Sequence, residues 1–181
     1  MPTNSQTMEG EPFGFGGLFD HYTFKIPEFQ RDFEWETDKI AQFYKDVFEE
    51  YEKNTQYFFG PIVLVGGAGL NELQIIDGQQ RLTCASIFIA AIADLLHATQ
   101  DPAMVAVADG FYRRIANYTT IWEPKLTPST DYELFFKKLL NPDSPTHKIT
   151  ERTADATREI ELNMLGAYKT LHSKLHNDFV G

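Results

Sequence analysis

The segment from Leu82 to Leu96 constrains the fold of this chain more than any other. It is apolar on nearly every side of a helical projection, and such a helix has to be buried because it offers no polar face to water. Its longest apolar run, from Cys84 to Ala93, is too short to span a bilayer. We therefore expect a domain without membrane contact, in which other elements surround this helix.

Elements able to surround the central helix lie on both sides of it. Residues 40, 43, 44, 47, 48 and 51 are apolar or aromatic and fall on one face of a helix. The stretches "YFFGPIVLV" and "ELQIID" are typical of strands and enclose a glycine-rich loop, which predicts an antiparallel hairpin. The pair Gly60-Pro61 predicts a bulge or an edge position in the first strand. Further helices are predicted from Pro102 to about Asn117, from Thr130 onwards, and from about Ala154 to Asn177.

The whole chain is expected to form one α+β domain. Its 181 residues are 43% apolar and 14% aromatic, enough for a single continuous core, and no repeat or linker divides them. Residues 1–18 are polar and glycine-rich and are expected to be a loose N-terminal segment. Residues 19–181 are expected to be a single domain that contains the hairpin, several helices and a C-terminal helical part.

The charge balance limits the partners of this domain. The net charge is −10, and the densest basic site is the pair Arg113-Arg114. A domain that grips duplex DNA by its phosphates normally presents a basic face, so DNA contact is expected to be weak or indirect. A small anionic ligand remains compatible with this charge, because a few arginines in one pocket outweigh an acidic surface locally.

Cysteine content and the N-terminal sequence point to a reducing compartment. The single cysteine, Cys84, excludes a disulfide within the chain, and the first 20 residues are polar rather than signal-like. We expect Cys84 to be a small buried apolar residue and the protein to be cytoplasmic.

The stretch "IIDGQQRLTC" joins the second hairpin strand to the buried helix. A helix N-terminus offers unpaired amides and a positive dipole end, Gly78 permits close approach of a ligand, and Arg81 adds a guanidinium suited to phosphate or carboxylate. Gln79 and Gln80 add neutral donors and acceptors, and Asp77 is suited to a metal ion or a water. This combination is a candidate site for an anion.

The same stretch also fits a plain turn between strand and helix. In that interpretation Asp77 only caps the helix, Gly78 supplies the turn and the glutamines lie in solvent. Two observations favour a site. Three long polar side chains at the start of an apolar helix do not all reach water, and a second polar cluster with similar donors, Gln30-Arg31, occurs among aromatic residues upstream.

Three stretches taken together resemble a known family. "IPEFQRDFEW", "FFGPIVLV" and "IIDGQQRLTC", in this order and spacing, look like the N-terminal domain of GmrSD-type restriction proteins, which are type IV restriction systems. The later "PKLTPSTDYELFFKKLL" is also similar to that family. The resemblance covers about residues 20–177, and Cys84 stands where the family commonly has a second threonine.

The resemblance implies a ParB/sulfiredoxin-like α+β core, a small mixed sheet that includes the β-hairpin, with several helices around it. It also implies the binding or hydrolysis of nucleoside triphosphates, and a role in defence against foreign or modified DNA. Carried over by position, the residues expected to act in catalysis are Asp77, Gln79, Gln80 and Arg81. The residues expected to bind the nucleotide are Gln30, Arg31, Trp35, Gly60, Gly78 and Arg81.

A mechanism follows as a hypothesis from these residue types. Arg31 and Arg81 would neutralise the β- and γ-phosphates, because phosphoryl transfer depends mainly on positioning and charge stabilisation. Gln79 or Gln80 would orient the attacking water. Asp77 would hold a divalent cation, Mg²⁺ by preference, directly or through water.

Family members often carry a further His-Asn-His nuclease domain, and these 181 residues contain no such motif. We therefore expect a nuclease partner in trans or outside this sequence. Two other functions stay open: a metal-dependent DNA nuclease centred on Asp77, and a non-catalytic interaction module that keeps the motif for folding. The acidic charge disfavours the nuclease, and the cost of burying unpaired Gln and Arg disfavours the module.

Overall fold

The computed structural model describes residues 12, 14–66, 71–118, 122–128, 132–143 and 156–181. The helices in these ranges are α1 (Phe15–His21), α2 (Thr37–Glu52), α3 (Gln79–Ala98), α4 (Pro102–Ile115), α5 (Glu133–Leu140) and α6 (Glu159–Phe179). The strands are β1 (Thr23–Lys25), β2 (Val63–Gly66), β3 (Glu72–Asp77), β4 (Ala116–Tyr118), β5 (Trp122–Pro124) and β6 (Leu126–Thr127).

A small mixed sheet forms one side of the core, in the order β2-β3-β1-β6. The central strand β1 runs parallel to both β3 and β6, and β2 pairs antiparallel with β3. The predicted hairpin and the α+β class are therefore confirmed. The ParB/sulfiredoxin-like relationship stays a prediction. A separate antiparallel ribbon, β4-β5, follows α4.

The first strand of the hairpin is shorter than predicted. The sequence favours a strand over 57–65, but β2 begins only at Val63. Gly60 has a φ of +88°, outside the range of a strand, and Pro61 lacks the N–H that a ladder needs. The register shifts between Val63 and Leu64, so an irregularity lies close to the predicted bulge.

The central helix α3 is buried as predicted. Leu82, Cys84 and Ile87 are 0% exposed, and α3 packs mainly against α4 and α6. By length and composition α3 is able to cross a membrane, but 56% of its most apolar stretch is buried inside this domain, as in the core helix of a soluble protein. Burial also raises the pKa of the Cys84 thiol, which keeps it protonated and unreactive.

The amphipathic helix α2 packs against α6 and carries an aromatic cluster on its apolar face. Ile40, Phe43 and Tyr44 on its apolar face are buried, while the outer face carries Lys45–Glu49 as an exposed ion pair. The Phe43 ring is the centre of an aromatic cluster, with ring centroids 5.8–6.1 Å away. The other members of this cluster are Trp35, Tyr57, Phe59 and Phe88.

Helix α1 begins inside the segment that the sequence predicts to be loose. It starts at Phe15, and its residues Leu18 and Phe19 are buried. Lys125 holds the helix in place, because its Nζ donates to the carbonyl oxygen of Phe19 at 2.6 Å, and burial lowers the pKa of Lys125. Glycine has a low helix propensity, so the glycines at 14, 16 and 17 make this helix hard to predict from local sequence. Burial of its apolar residues stabilises it.

The last helix begins later than the sequence predicts. Ala154 and Thr130, two predicted helix starts, lie outside the described residues, and α6 begins at Glu159. The Glu161 carboxylate accepts hydrogen bonds from the backbone N–H groups of Thr157 and Arg158, at 2.9 and 3.1 Å. These bonds satisfy donors ahead of the first turn and lower the pKa of Glu161.

A buried polar network fastens three helices together. The hydroxyls of Tyr112 on α4 and Tyr168 on α6 both donate to the Asp94 carboxylate on α3. Both rings are almost fully buried, at 2% and 0% exposure. Burial first and the Asp94 charge second raise the pKa of Tyr168, so it remains a donor to the carboxylate at any ordinary pH.

Replacing Tyr168 by Phe should remove one of these hydrogen bonds and leave the ring in place. We expect the free energy of unfolding to fall by about 1–3 kcal/mol, because the Asp94 carboxylate loses a donor between the helices. Tyr51→Phe is the matched control, since that ring is 64% exposed, and its effect should stay below about 0.5 kcal/mol. Urea denaturation measures both, and equal stabilities would contradict a stabilising role for this network.

Candidate functional site

The strand-to-helix turn of "IIDGQQRL" depends on Gly78. This residue is the N-cap of α3 and has a φ of +100°, a conformation that favours glycine. A Cβ at this position would also lie 3.1 Å from the Cγ1 of Ile62, so the turn is packed tightly under the β2 segment. No side chain caps the helix. Asp77 therefore has a different task from the capping role that a plain turn would give it.

The Gln80 side chain joins the two motifs. Its Oε1 accepts a hydrogen bond from the backbone N–H of Glu34 at 2.9 Å, and its Nε2 donates to the carbonyl oxygen of Asp32. The residue is only 8% exposed. A second amide adds to this link, because Gln30 Nε2 donates to the carbonyl oxygen of Ile76 at 3.0 Å. The structure thus brings together the two clusters that the sequence separates by about 50 residues.

Arg81 lies on the same side of the turn, held by two partners. Its Nη1 donates to the carbonyl oxygen of Phe59 at 3.2 Å, and its Nη2 pairs with the Asp77 carboxylate at 3.3 Å. The Arg81 side chain is 25% exposed and that of Asp77 is 63% exposed. An exposed ion pair of this kind contributes little to stability, so an incoming anion can replace the carboxylate at low cost.

Gly60 leaves the space that Arg81 occupies. A Cβ on Gly60 would lie 2.1 Å from Arg81 Nη1, which is far inside contact distance, and its φ of +88° also favours glycine. The guanidinium therefore rests against bare backbone. This close approach explains why a Gly-Pro pair interrupts a strand-like sequence at this point.

Gln79 is buried, and its amide has no partner among the described residues. The residue is 7% exposed, and its side chain makes no hydrogen bond to any residue that the structure describes. Its amide atoms are not fully enclosed, so they retain contact with solvent. An amide in this position has unused donors and acceptors for a ligand.

Arg31 and Trp35 are placed less directly. Arg31 is largely solvent-exposed and pairs with Glu34, three residues further along the chain, at 3.3 Å. Trp35 packs against Phe43, with Lys39 Nζ 5.3 Å from the centre of its ring. Trp35 also lines a cavity of about 290 Å³ between α2 and α6. Its other lining residues are Glu36, Thr37, Asp38, Leu162, Asn163 and Gly166.

The residues around the turn do not form a metal cage. No group of three or more His, Cys, Asp or Glu side chains suited to a metal ion occurs in the described parts of the chain. Asp77 is the carboxylate of the turn itself. A Mg²⁺ ion that is bound mainly by nucleotide phosphates needs only one or two protein carboxylates, and the exposed Asp77 fits that more limited requirement.

Sequence motifs did not identify the backbone groups that complete the site. Backbone groups take part in each of the key hydrogen bonds. The carbonyls that accept are those of Asp32, Phe59 and Ile76, and the N–H that donates is that of Glu34. Every residue carries such groups, so side-chain identity gives no signal for them. The one indirect signal is Gly60, since glycine leaves the space beside the Phe59 carbonyl that Arg81 occupies.

The fold and the turn define the class of this protein. It is an α+β domain in which a polar turn with a positive-φ glycine precedes a buried helix. The family model described as GmrSD restriction endonuclease, N-terminal domain, matches residues 15–180. The chain therefore belongs to this family and is a component of a restriction or defence system. No curated protein matches the chain significantly.

Replacing Gln80 by Met should loosen the link between the two motifs. Met has a similar length but cannot bond to Asp32 or Glu34, so we expect the free energy of unfolding to fall by about 1–3 kcal/mol. Amide hydrogen exchange at Glu34 should also accelerate. Gln42→Met is the control, because its amide bonds only along the exposed face of α2. Unchanged exchange at Glu34 in Gln80→Met would contradict the proposed link.

Replacing Gly60 by Ala should displace the Arg81 guanidinium. The added Cβ meets Nη1 and the positive φ adds strain, so we expect the free energy of unfolding to fall by more than about 1 kcal/mol. Gly110→Ala is the control, because nothing lies within 4 Å of its added Cβ and alanine favours a helix. Thermal denaturation of both variants measures the difference in stability. Equal stabilities would contradict the contact between Arg81 and Gly60.

Proposed function

We propose that this domain binds a nucleoside triphosphate at the N-terminus of α3 and hydrolyses it as the regulatory part of a restriction system. The observation that carries the proposal is that two residues of the first turn of α3 keep unused donors: Arg81, whose guanidinium is held in position, and Gln79, a buried amide that bonds to no described residue. Both lie beside the N-terminal amides of this helix.

Phosphate binding is supported by the donors that remain unused. A guanidinium has five N–H donors, and the contacts of Arg81 to described residues are one carbonyl and one exposed carboxylate. The first amides of α3 add partial positive charge. Arg31, exposed and paired only with exposed Glu34 in the described structure, is available to move towards a second phosphate. This local charge offsets the net −10 of the chain.

The two glutamines take different roles in this proposal. Gln80 uses both ends of its amide to hold Asp32 and Glu34, so it positions the first motif. Gln79 is the one with an unused amide, and it orients the water. The water oxygen attacks the γ-phosphorus and passes its proton to an oxygen of the departing γ-phosphate. The bond to the bridging oxygen breaks, and the charge that develops on the β-phosphate is stabilised by Arg81.

A divalent cation completes the site as proposed. Asp77 would hold Mg²⁺, directly or through a water, and the cation would neutralise phosphate charge. An anion that replaced Asp77 on Arg81 would free this carboxylate for that role.

A second candidate function, a non-catalytic interaction module, is favoured by one specific observation. Gln80 and Gln30 have structural roles, so part of the motif is explained by folding alone. Folding does not explain Gln79, whose amide contributes no bond within the described structure.

A direct DNA nuclease is disfavoured by the acidic charge, and we propose instead that a His-Asn-His nuclease acts in trans or outside this sequence. We also propose a cytoplasmic location, supported by the unpaired, buried Cys84.

Arg81→Ala should weaken nucleotide binding at least about tenfold, the loss expected for a charge-assisted contact, and reduce phosphate release to background. Calorimetry with ATP, GTP, CTP and UTP plus Mg²⁺, followed by a phosphate-release assay, measures both. Arg113→Ala, at the exposed end of α4, is the control. Parental hydrolysis in Arg81→Ala would contradict the proposal, and binding without release would leave a sensor in place of an enzyme.

A further inference from the structure

Two phenylalanines next to the candidate site are almost fully exposed. Phe29 is 78% exposed and Phe58 is 82% exposed. Single exposed apolar residues are common on protein surfaces, but whole phenyl rings in water are unfavourable and need a reason when they flank a polar site. Each of these rings is one residue away from a side-chain or backbone group that forms the site.

Phe58 is directed outwards by its neighbours. The rings of Tyr57 and Phe59 pack on Phe43, with centroids 6.1 and 6.0 Å away, while Phe58 between them lies in solvent. The next carbonyl along the chain, that of Phe59, accepts the hydrogen bond from Arg81. Consecutive Cα atoms are only 3.8 Å apart, so the backbone of Phe58 lies close to the carbonyl that holds the Arg81 guanidinium.

Phe29 occupies the corresponding place on the first motif. It lies in a turn closed by the hydrogen bond from Gln30 N–H to the carbonyl oxygen of Pro27, at 3.0 Å. Turns favour Gly, Asn, Asp, Pro or Ser at such positions, so an exposed Phe contributes nothing to the turn itself. The adjacent Gln30 amide bonds to Ile76, which precedes Asp77 of the second motif.

We infer that the exposed rings of Phe29 and Phe58 form the surface on which the base of the bound nucleotide stacks. This inference rests on the proposed nucleotide binding and extends it to the nucleoside part of the ligand. The phosphates lie at Arg81 and the α3 N-terminus, and the base covers the aromatic rings at the rim. Stacking removes the exposed phenyl surface from water, which accounts for its presence there.

The chemistry of a phenyl ring determines what this surface recognises. Every base has a π-face, and stacking on an aromatic side chain is tolerant of base identity. A phenyl ring carries no hydrogen-bonding group, so these two residues add affinity for the nucleoside without selecting one base. The same stacking gives nothing to inorganic triphosphate, which has no base.

The test compares nucleotides with inorganic triphosphate, both with Mg²⁺, on the parent and on the double variant Phe29→Leu, Phe58→Leu. Leucine keeps an apolar side chain but has no π-face. We expect the double variant to lose between about fivefold and a hundredfold in affinity for ATP, GTP, CTP and UTP alike, with triphosphate binding unchanged. The double variant Phe29→Trp, Phe58→Trp should retain nucleotide affinity. Tyr51→Leu is the matched control, because Tyr51 is an exposed aromatic residue at the C-terminal end of α2.

The possible outcomes separate this inference from the function on which it rests. If the parent binds neither nucleotides nor triphosphate, the proposed function fails and the inference fails with it. If the parent binds triphosphate as tightly as nucleotides, or if the leucine variant keeps parental nucleotide affinity, the phosphate site stands and base stacking is overturned. The rings would then belong to a contact with protein or DNA. Equal losses for triphosphate and nucleotides would also overturn the stacking role.

Discussion

The hydrogen bonds of the Gln80 amide are the interaction on which the site depends. They join a segment at Asp32–Glu34 to the first turn of α3, across 46 and 48 residues of chain. A buried amide that uses both its donor and its acceptor is strongly specified, because either half left unpaired costs the desolvation of that group. The first motif therefore has one position relative to the second, and any ligand between them meets a preformed surface.

Helix α3 unites stability and function in one element. Its body is the centre of the core, clamped to α4 and α6 through Asp94, and its first turn presents Gln79 and Arg81. A rigid helix fixes these side chains better than a loop would. Two glycines are needed at this turn. A Cβ on Gly60 would collide with Arg81, and a Cβ on Gly78 would crowd Ile62.

Much of the fold was predictable, and the failures have physical causes. Helical periodicity predicted α2, and the Asp101 cap followed by Pro102 predicted the start of α4, although this helix ends at Ile115 and not near Asn117. All-round apolarity predicted α3, and strand composition with a glycine-rich loop predicted the hairpin. Helix α1 was missed because burial of Leu18 and Phe19 outweighs its glycine content, and β2 was predicted too long because a positive φ at Gly60 interrupts strand geometry. In both cases a tertiary contact overrides local propensity.

The sequence by itself determined that Leu82–Leu96 is buried, that a polar turn precedes it, and that the motif pair belongs to the GmrSD N-terminal family. Those conclusions follow from local patterns and from the order of the motifs. Only the tertiary structure decided how these residues divide their tasks. Gln80 and Gln30 hold the backbone, the Gln79 amide bonds to no described residue, and Phe29 and Phe58 face solvent. The reason is physical: a glutamine's role depends on which distant carbonyl or N–H it meets, and that pairing is set by packing.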